Sequence, residues 1–384
     1  MTERIAINPS IIRWALQRSG RTTDMLAGKL PKLGTWQTDG RANLTFVELE
    51  RLSNETHTPL GFFFLDTPPP EDVPIPDFRT VRDKPIGRMS PDLTDTLHAM
   101  QLRQGWYQNF ATEEGWPTHK FVGSARPGDP VKRVASDILG KLGLTAGWSS
   151  KLRSWDDAVS HLRERIEELR VLIVINGCVG NNTFRVLDPD EFRGFVLSDR
   201  RAPLIFVNGH DSKSAQVFTI FHELVHLWVN RSGLLDLKEN ARPADATEEY
   251  CNEVAAEALL PEDQVRSIWY SYETGDTPFH DLAKLFKVSP VVVGRRLLDL
   301  KLVSKPRFFD FYAAYQASAS ASIKRDPGGS FYNNQNFRIG KRFMRIVSGA
   351  ANNGRITFTE AYKLTGLNNA TFEKYRQRIG EASA

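Results

Sequence analysis

The feature that most constrains this chain is an H-E-x-x-H sequence inside the apolar segment 218–226. On a helix, His222 and His226 lie one turn apart on the same face, so both imidazoles can bind one Zn²⁺. Glu223 stands beside them, where a carboxylate can accept a proton from a metal-bound water. Five residues alone are weakly specific. An apolar run just before the motif and a strand-like run at 204–207 strengthen the interpretation, because an active-site helix is buried beneath such a sheet.

A third ligand is needed, since a catalytic zinc has three protein ligands and one open position. Glu248 is the preferred donor, because it lies 22 positions after His226 at the start of a predicted helix. Glu249 and Glu253 of the same helix are the alternatives, and without the histidine pair a solvated Glu-rich helix is the simpler interpretation. Asn252, one turn after Glu248, is expected to hold a ligand imidazole.

Segments 218–226 and 248–261 together resemble the ImmA/IrrE family of metallo-endopeptidases. The Pro-containing segment 73–80 and the segment 328–333 are similar to the longer members, in which a repressor-like module precedes the peptidase. The resemblance therefore covers nearly the whole chain, although only the zinc segments have chemical specificity.

The resemblance implies a zinc site in which His222, His226 and Glu248 bind Zn²⁺ and Glu223 is the general base. It also implies that the substrate is another protein, typically a helix-turn-helix repressor of the Xre type that is encoded nearby. The alternative from another class is a non-hydrolytic zinc protein that regulates by binding DNA or a repressor, such as a toxin–antitoxin component. Retention of Glu223 favours the enzyme, since a purely structural zinc site does not need that carboxylate.

Composition and hydropathy predict a cytoplasmic protein of two or three domains within 384 residues. No apolar run approaches the roughly 18 residues of a membrane span, and the N-terminus lacks the apolar stretch of a signal peptide. Only two cysteines occur, which excludes a disulfide framework. Of these, Cys251 is expected to be buried in the core rather than to bind zinc.

The predicted fold class is α+β and mostly helical, with a small sheet packed on the H-E-x-x-H helix and helical modules on both flanks. The last predicted strand, 202–207, is expected to pair with an extended substrate. Apolar periodicity predicts the strands and helices. The strands are 171–175, 193–197 and 202–207, and the helices of this region are 91–109, 130–141 and 155–170.

Four regions are predicted along the chain. They are an Xre-like helix-turn-helix module at 1–66, a Pro-rich linker at 67–88, the zinc metallopeptidase domain at 89–304 and a basic helical C-terminal domain at 305–384. The last region has 13 basic and 5 acidic residues, whereas residues 1–66 have 8 and 7. The basic excess fits nucleic acid or an acidic partner, and it equally fits a solvated surface or docking onto the acidic middle of the chain.

DNA binding is a possible but open property of the helix-turn-helix segments. The near-neutral N-terminal module is expected to be a protein-interaction or vestigial module rather than a DNA reader, because phosphate affinity comes from cations. A second such segment near 280–300 is expected to support the core. Two tail helices are predicted at 336–353 and 358–366.

The other histidines have no partner at ligand spacing. Four of them are expected at the surface or at helix caps: His57, His98, His119 and His161. His210, His280, Tyr270 and Tyr272 are open candidates for stabilising an oxyanion.

Overall fold

A computed structural model describes residues 4–38, 40, 42–69, 89–231, 233–235, 246–321 and 331–381. Most of the predicted linker, 70–88, and the glycine pair at 328–329 lie outside these residues. The chain divides into two compact units. Among the described residues, one unit holds 4–69 and 89–98, and the other holds 99–381. The extent of the four predicted regions stays a prediction.

The N-terminal unit is a small helical module that also contains a two-stranded antiparallel sheet. Strands β1 and β2 pair antiparallel, and apolar residues from the helices and strands form one core. Its elements are β1 Arg4–Ile7, α1 Pro9–Ser19, α2 Thr23–Leu26, α3 Leu33–Trp36, β2 Ala42–Thr45, α4 Phe46–Thr56 and a 3₁₀ turn Leu60–Phe64. Helices α2 and α3 are only one turn each, so the Xre-like interpretation of this module stays a prediction.

The larger unit is built on a four-stranded mixed sheet with the order β3-β7-β6-β8. Strand β7 pairs parallel with β3 and antiparallel with β6, and β8 pairs antiparallel with β6. A separate hairpin joins β4 and β5. The strands are β3 Leu172–Asn176, β4 Cys178–Val179, β5 Asn182–Val186, β6 Gly194–Leu197, β7 Leu204–Asn208 and β8 Gly233–Leu235. The three strands predicted from the sequence are β3, β6 and β7.

The expectation that segment 202–207 pairs with an extended substrate is wrong. Strand β7, Leu204–Asn208, has β3 on one side and β6 on the other, so its backbone hydrogen bonds are already used. Its side chains are all buried, as the uninterrupted apolar sequence of a central strand requires.

Helices surround this sheet and make the fold α+β and mostly helical, as predicted. Helix α8 follows β7 directly and packs against β6 and β7. The helices up to this region are α5 Pro91–Glu113, α6 Val131–Lys141, α7 Trp155–Glu168 and α8 Lys213–Trp228. Those that follow are α9 Ala246–Leu259, α10 Glu262–Tyr272, α11 Pro278–Phe286, α12 Pro290–Asp299 and α13 Lys305–Ala321. No helix among the described residues is long and apolar enough to cross a membrane.

The segment near 280–300 has the structural role that was expected. Helix α12 is largely buried, and Arg296 pairs through Nη2 with the Glu257 carboxylate of α9. The Nε of Arg296 also donates to the carbonyl oxygen of Leu260 at 3.1 Å. Because this buried pair links α12 to α9, it fixes the helix that carries Glu248.

The C-terminal part consists of α14 Phe331–Arg338, α15 Lys341–Asn352, α16 Phe358–Thr365 and α17 Asn369–Glu381. The predicted helix 336–353 is in fact divided between α14 and α15. The break falls at Gly340, which has a φ of 87° that other residues rarely adopt. A Cβ there would also lie 2.9 Å from Glu167 Oε1, so the Glu167 side chain would have to shift.

Candidate metal centre and active site

Helix α8 carries the H-E-x-x-H residues in the interior of the larger unit. Ser212 caps the helix by accepting a hydrogen bond from the Ala215 amide, and every side chain from 215 to 228 is buried. The Nε2 atoms of His222 and His226 lie 2.9 Å apart on one face of the helix. The periodicity that predicted a helix therefore also brings both imidazoles to one point.

Glu248, in the first turn of α9, completes a three-residue cluster. Its Oε2 lies 3.1 Å from His222 Nε2, and its Oε1 lies 3.3 Å from His226 Nε2. Of the described residues, only these three form a group of His, Cys, Asp or Glu side chains able to hold one metal ion. The alternative donors, Glu249 and Glu253, are exposed and outside the cluster.

The cluster fits a tetrahedral zinc ion in both donor type and size. Zinc bonds of about 2.0–2.1 Å at tetrahedral angles place neighbouring donor atoms ~3.3 Å apart. The separations of 2.9, 3.1 and 3.3 Å in this cluster are close to that value. Two imidazoles and one carboxylate leave the fourth position open, as a catalytic site requires.

Each histidine is held from its other ring nitrogen. The Nδ1 of His222 lies 2.9 Å from Asn252 Oδ1, so Nδ1 donates and Nε2 keeps its lone pair for a metal. The Nδ1 of His226 lies 3.8 Å from the Cys251 sulfur. Asn252 therefore has the position expected for it. Cys251 is buried in the core, as expected, but it also contacts a ligand imidazole.

The ionisation of the cluster favours metal binding. Burial lowers the pKa of His226, which keeps its imidazole neutral. Burial alone would raise the pKa of Glu248, but the neighbouring His222 and His226 side chains outweigh burial and lower that pKa below the ordinary value. A neutral imidazole and an ionised carboxylate are the forms that coordinate zinc.

Glu223 is buried beside the cluster with no hydrogen-bond partner in the described structure for either carboxylate oxygen. Burial raises its pKa well above the ordinary value, and the neighbouring Glu248 charge raises it further. A buried, unpartnered carboxyl group is costly for folding. A water molecule or a substrate group in the fourth zinc position would supply the missing partner.

The sequence did not point to Gly194, which makes room for this carboxylate. A Cβ at Gly194 in β6 would lie 2.8 Å from Thr219 Cγ2, 2.9 Å from the Phe206 carbonyl oxygen and 3.2 Å from Glu223 Oε1. Only glycine therefore fits between the sheet and α8 at the level of Glu223. The only signal in the sequence was a glycine at the start of a predicted strand, which is weak.

Of the candidate oxyanion residues, Tyr270 and Tyr272 lie on α10, His280 lies on α11 and His210 follows β7. His280 packs against Phe311 and Tyr315 of α13, and Tyr270 is 74% exposed. A role for any of the four in catalysis stays a prediction.

Comparison with known families now assigns the part of the chain that carries the cluster. Residues 183–298 match the family described as the IrrE N-terminal-like domain, Peptidase_M78. This segment is therefore similar to a metallopeptidase family. The match runs from β5 into α12. It therefore contains the three residues of the cluster and the candidate base Glu223, and it supports the resemblance to the ImmA/IrrE family. Residues 339–378 match a domain of unknown function, DUF8813. No curated protein and no solved structure matches the chain.

Proposed function

We propose that the protein is a cytoplasmic zinc-dependent endopeptidase whose substrate is another protein, a helix-turn-helix repressor. The observation that carries the proposal is the unpartnered Glu223 carboxylate beside a cluster of three zinc-type donors. A structural zinc site has four protein ligands and no use for a buried free carboxylate. The repressor, and a role in stress response or mobile-element regulation, are proposed from the family resemblance.

The residues have separate tasks in the reaction. His222, His226 and Glu248 would hold the zinc ion, which supplies Lewis-acid chemistry that acidifies water and polarises a carbonyl group. Glu223 accepts the proton of the attacking water and returns it to the leaving amine. The raised pKa of Glu223 suits this role, because a more basic carboxylate accepts the proton of the water more readily.

The metal assignment is tested on the purified full-length protein. We expect about one zinc per chain by elemental analysis, from the three-ligand site, and loss of the metal in the His222→Ala/His226→Ala double variant. Glu248→Gln should weaken zinc retention, whereas Glu249→Gln and Glu253→Gln are matched controls on the same helix. Full retention in the double variant would refute the site, and a larger loss at Glu253 would move the third ligand there.

The chemical assignment is tested with Glu223→Gln. This variant should keep its zinc and its fold yet lose cleavage of an Xre-type repressor encoded beside the gene, because an amide cannot accept the proton. Wild-type protein that holds zinc but leaves the repressor intact, while binding it, would favour the non-hydrolytic regulator instead. Equal cleavage by both proteins would mean that Glu223 is not the base.

A further inference from the structure

Helices α16 and α17 of the C-terminal part form a compact helix-turn-helix. The turn has three residues, 366–368, and begins with Gly366 in the left-handed conformation at a φ of 70°. The Gly366 amide donates to the Tyr362 carbonyl oxygen at 2.8 Å, which ends α16. Asn368 then starts α17 by accepting the Thr371 amide at 2.9 Å. A short turn with such a glycine is characteristic of DNA-binding helix pairs.

One face of α17 holds this unit together. Phe372, Tyr375 and Ile379 recur at helical spacing and are buried. The ring of Phe372 packs on Tyr362 of α16 with ring centroids 5.3 Å apart, and Leu367 fills the turn. Helix α17 is therefore fixed by its apolar side, which leaves the other side available.

The opposite face of α17 is largely exposed, and it includes one described carboxylate, that of Glu373. It presents Asn369, Ala370, Lys374, Gln377 and Arg378. These are the residue types that contact DNA: amides bind base edges, cations bind phosphates, and a small residue permits close approach. The one described acid of the helix, Glu373, is paired with Arg376 at 2.6 Å.

The helix pair α11–α12 provides an internal comparison. There the second helix is almost entirely buried, and its two exposed side chains, Arg295 and Asp299, pair with each other at 3.0 Å. The helix pair α11–α12 therefore supports the core, and its second helix has no exposed face to which a partner could bind. In α17 the polar face is left exposed, and core packing does not account for its composition.

The C-terminal part as a whole is basic. Residues 331–381 hold nine Lys and Arg against three Glu, although Lys341 and Arg355 of this set pair with Glu164 and Glu114 outside it. This excess favours a polyanion, since phosphate contacts supply most of the affinity for nucleic acid. A single strand would need exposed aromatic rings on α17 for base stacking, whereas Phe372 and Tyr375 of α17 are buried and the 41% exposed Phe358 belongs to α16.

We propose that α16–α17 is a DNA-binding helix-turn-helix whose second helix enters the major groove of double-stranded DNA. Asn369, at the start of α17, reads a base edge, and Lys374 and Arg378 contact phosphates. This gives a function to the segment that matches a domain of unknown function, and it does not depend on the peptidase activity.

The test measures binding of the full-length protein to a fluorescent duplex of mixed sequence by anisotropy, between about 50 and 200 mM KCl. The variant is Lys374→Gln/Arg378→Gln. The matched control is Lys141→Gln/Lys151→Gln, which removes the same charge from exposed positions of the same unit. Thermal melting checks that both variants fold.

Wild-type protein should bind with a Kd on the order of micromolar, as a single non-specific module does. The Lys374/Arg378 variant should bind at least about tenfold more weakly at low salt. Its slope of log K against log salt should be smaller by about 2, because each phosphate contact contributes about 0.9. The control should match wild type, and Asn369→Ala should lose any preference among duplex sequences.

Three results would overturn the proposal. They are no binding by wild-type protein at about 50 mM KCl, an equal loss in the control variant, and tighter binding of a single-stranded DNA or RNA competitor than of the duplex. The last result would assign the face to single strands instead.

Discussion

Replacement of Gly194 by alanine should impair the active site, although it substitutes none of the three proposed metal-binding residues. Gly194 pairs with Val207 across β6 and β7, and its φ lies outside the left-handed region. Alanine can therefore adopt the backbone conformation, and the expected effect is steric alone. The added Cβ would meet Thr219, Phe206 and Glu223, which belong to the helix, the neighbouring strand and the proposed base.

The magnitude follows from these contacts. The distances of 2.8 Å to Thr219 Cγ2 and 2.9 Å to the Phe206 carbonyl oxygen are shorter than any ordinary Cβ contact. The carbonyl belongs to a paired strand and Thr219 is buried on α8, so the strand or the helix must shift. Overpacking of this kind costs about 1–3 kcal/mol of unfolding free energy. A displaced Glu223 should lower kcat by on the order of tenfold, since a 1 Å misplacement costs ~100-fold.

The assay is urea unfolding together with repressor cleavage, with zinc content measured in parallel. Gly140→Ala is the matched control, because it lies within α6 with no atom within 4 Å of the added Cβ. That variant should gain up to about 1 kcal/mol from helix propensity. In the Gly194→Ala background, Thr219→Ser removes the contacting methyl group, Cγ2. The double-mutant cycle should show a favourable coupling of at least about 0.5 kcal/mol.

Gly194→Ala with the stability and activity of wild type would refute this reasoning. It would mean that β6 and α8 are not packed as closely as these distances indicate. Loss of stability with no coupling to Thr219 would place the conflict at the Phe206 carbonyl alone.

Two further predictions concern buried polar groups. Asn252→Ala removes the acceptor from His222 Nδ1, so zinc affinity in a chelator competition should fall by about 10–100-fold with the fold intact, and an unchanged affinity would contradict it. Burial, assisted by the charge of Arg170, lowers the pKa of His119 to about 4. As pH falls, His119 is protonated in the unfolded chain before it is protonated in the folded chain. This group therefore leaves the free energy of unfolding unchanged above pH ~6.5 and lowers it increasingly towards pH 4. In urea unfolding, we expect the free energy of unfolding to fall by no more than about 2 kcal/mol over this pH range, and we expect no such fall in His119→Gln. An equal fall in both proteins would exclude His119 as its source.

Local patterns predicted much of the fold and the core of the site. The apolar spacing of α8 and the strand runs before it depend on neighbours in sequence, and such signals are reliable. Glu248 was harder, because three carboxylates in one helix differ only in direction. The distances in the structure separate it from Glu249 and Glu253, which are exposed.

Long-range contacts could not be predicted from the sequence. The space that Gly194 provides for Glu223 depends on how β6 meets α8 across the core. The expected surface position of His119 was wrong for the same reason, since its side chain is buried against Phe121 with ring centroids 5.1 Å apart. Strand order is also a property of the assembled sheet, which is why a central strand was mistaken for one that is open to a substrate.

The two helix-turn-helix segments of the larger unit show most clearly what periodicity leaves open. Both have a short turn, an apolar face and arginines on the second helix, but the sequence predicted only the segment near 280–300 as a helix-turn-helix. In α12, Arg296 forms an ion pair with the buried Glu257, and Arg295 forms one with Asp299. In α17 the buried apolar residues lie on one face of the helix, and Lys374 and Gln377 on the other face are exposed. Whether a basic helix supports a core or faces a partner is decided by which carboxylates the fold brings to it.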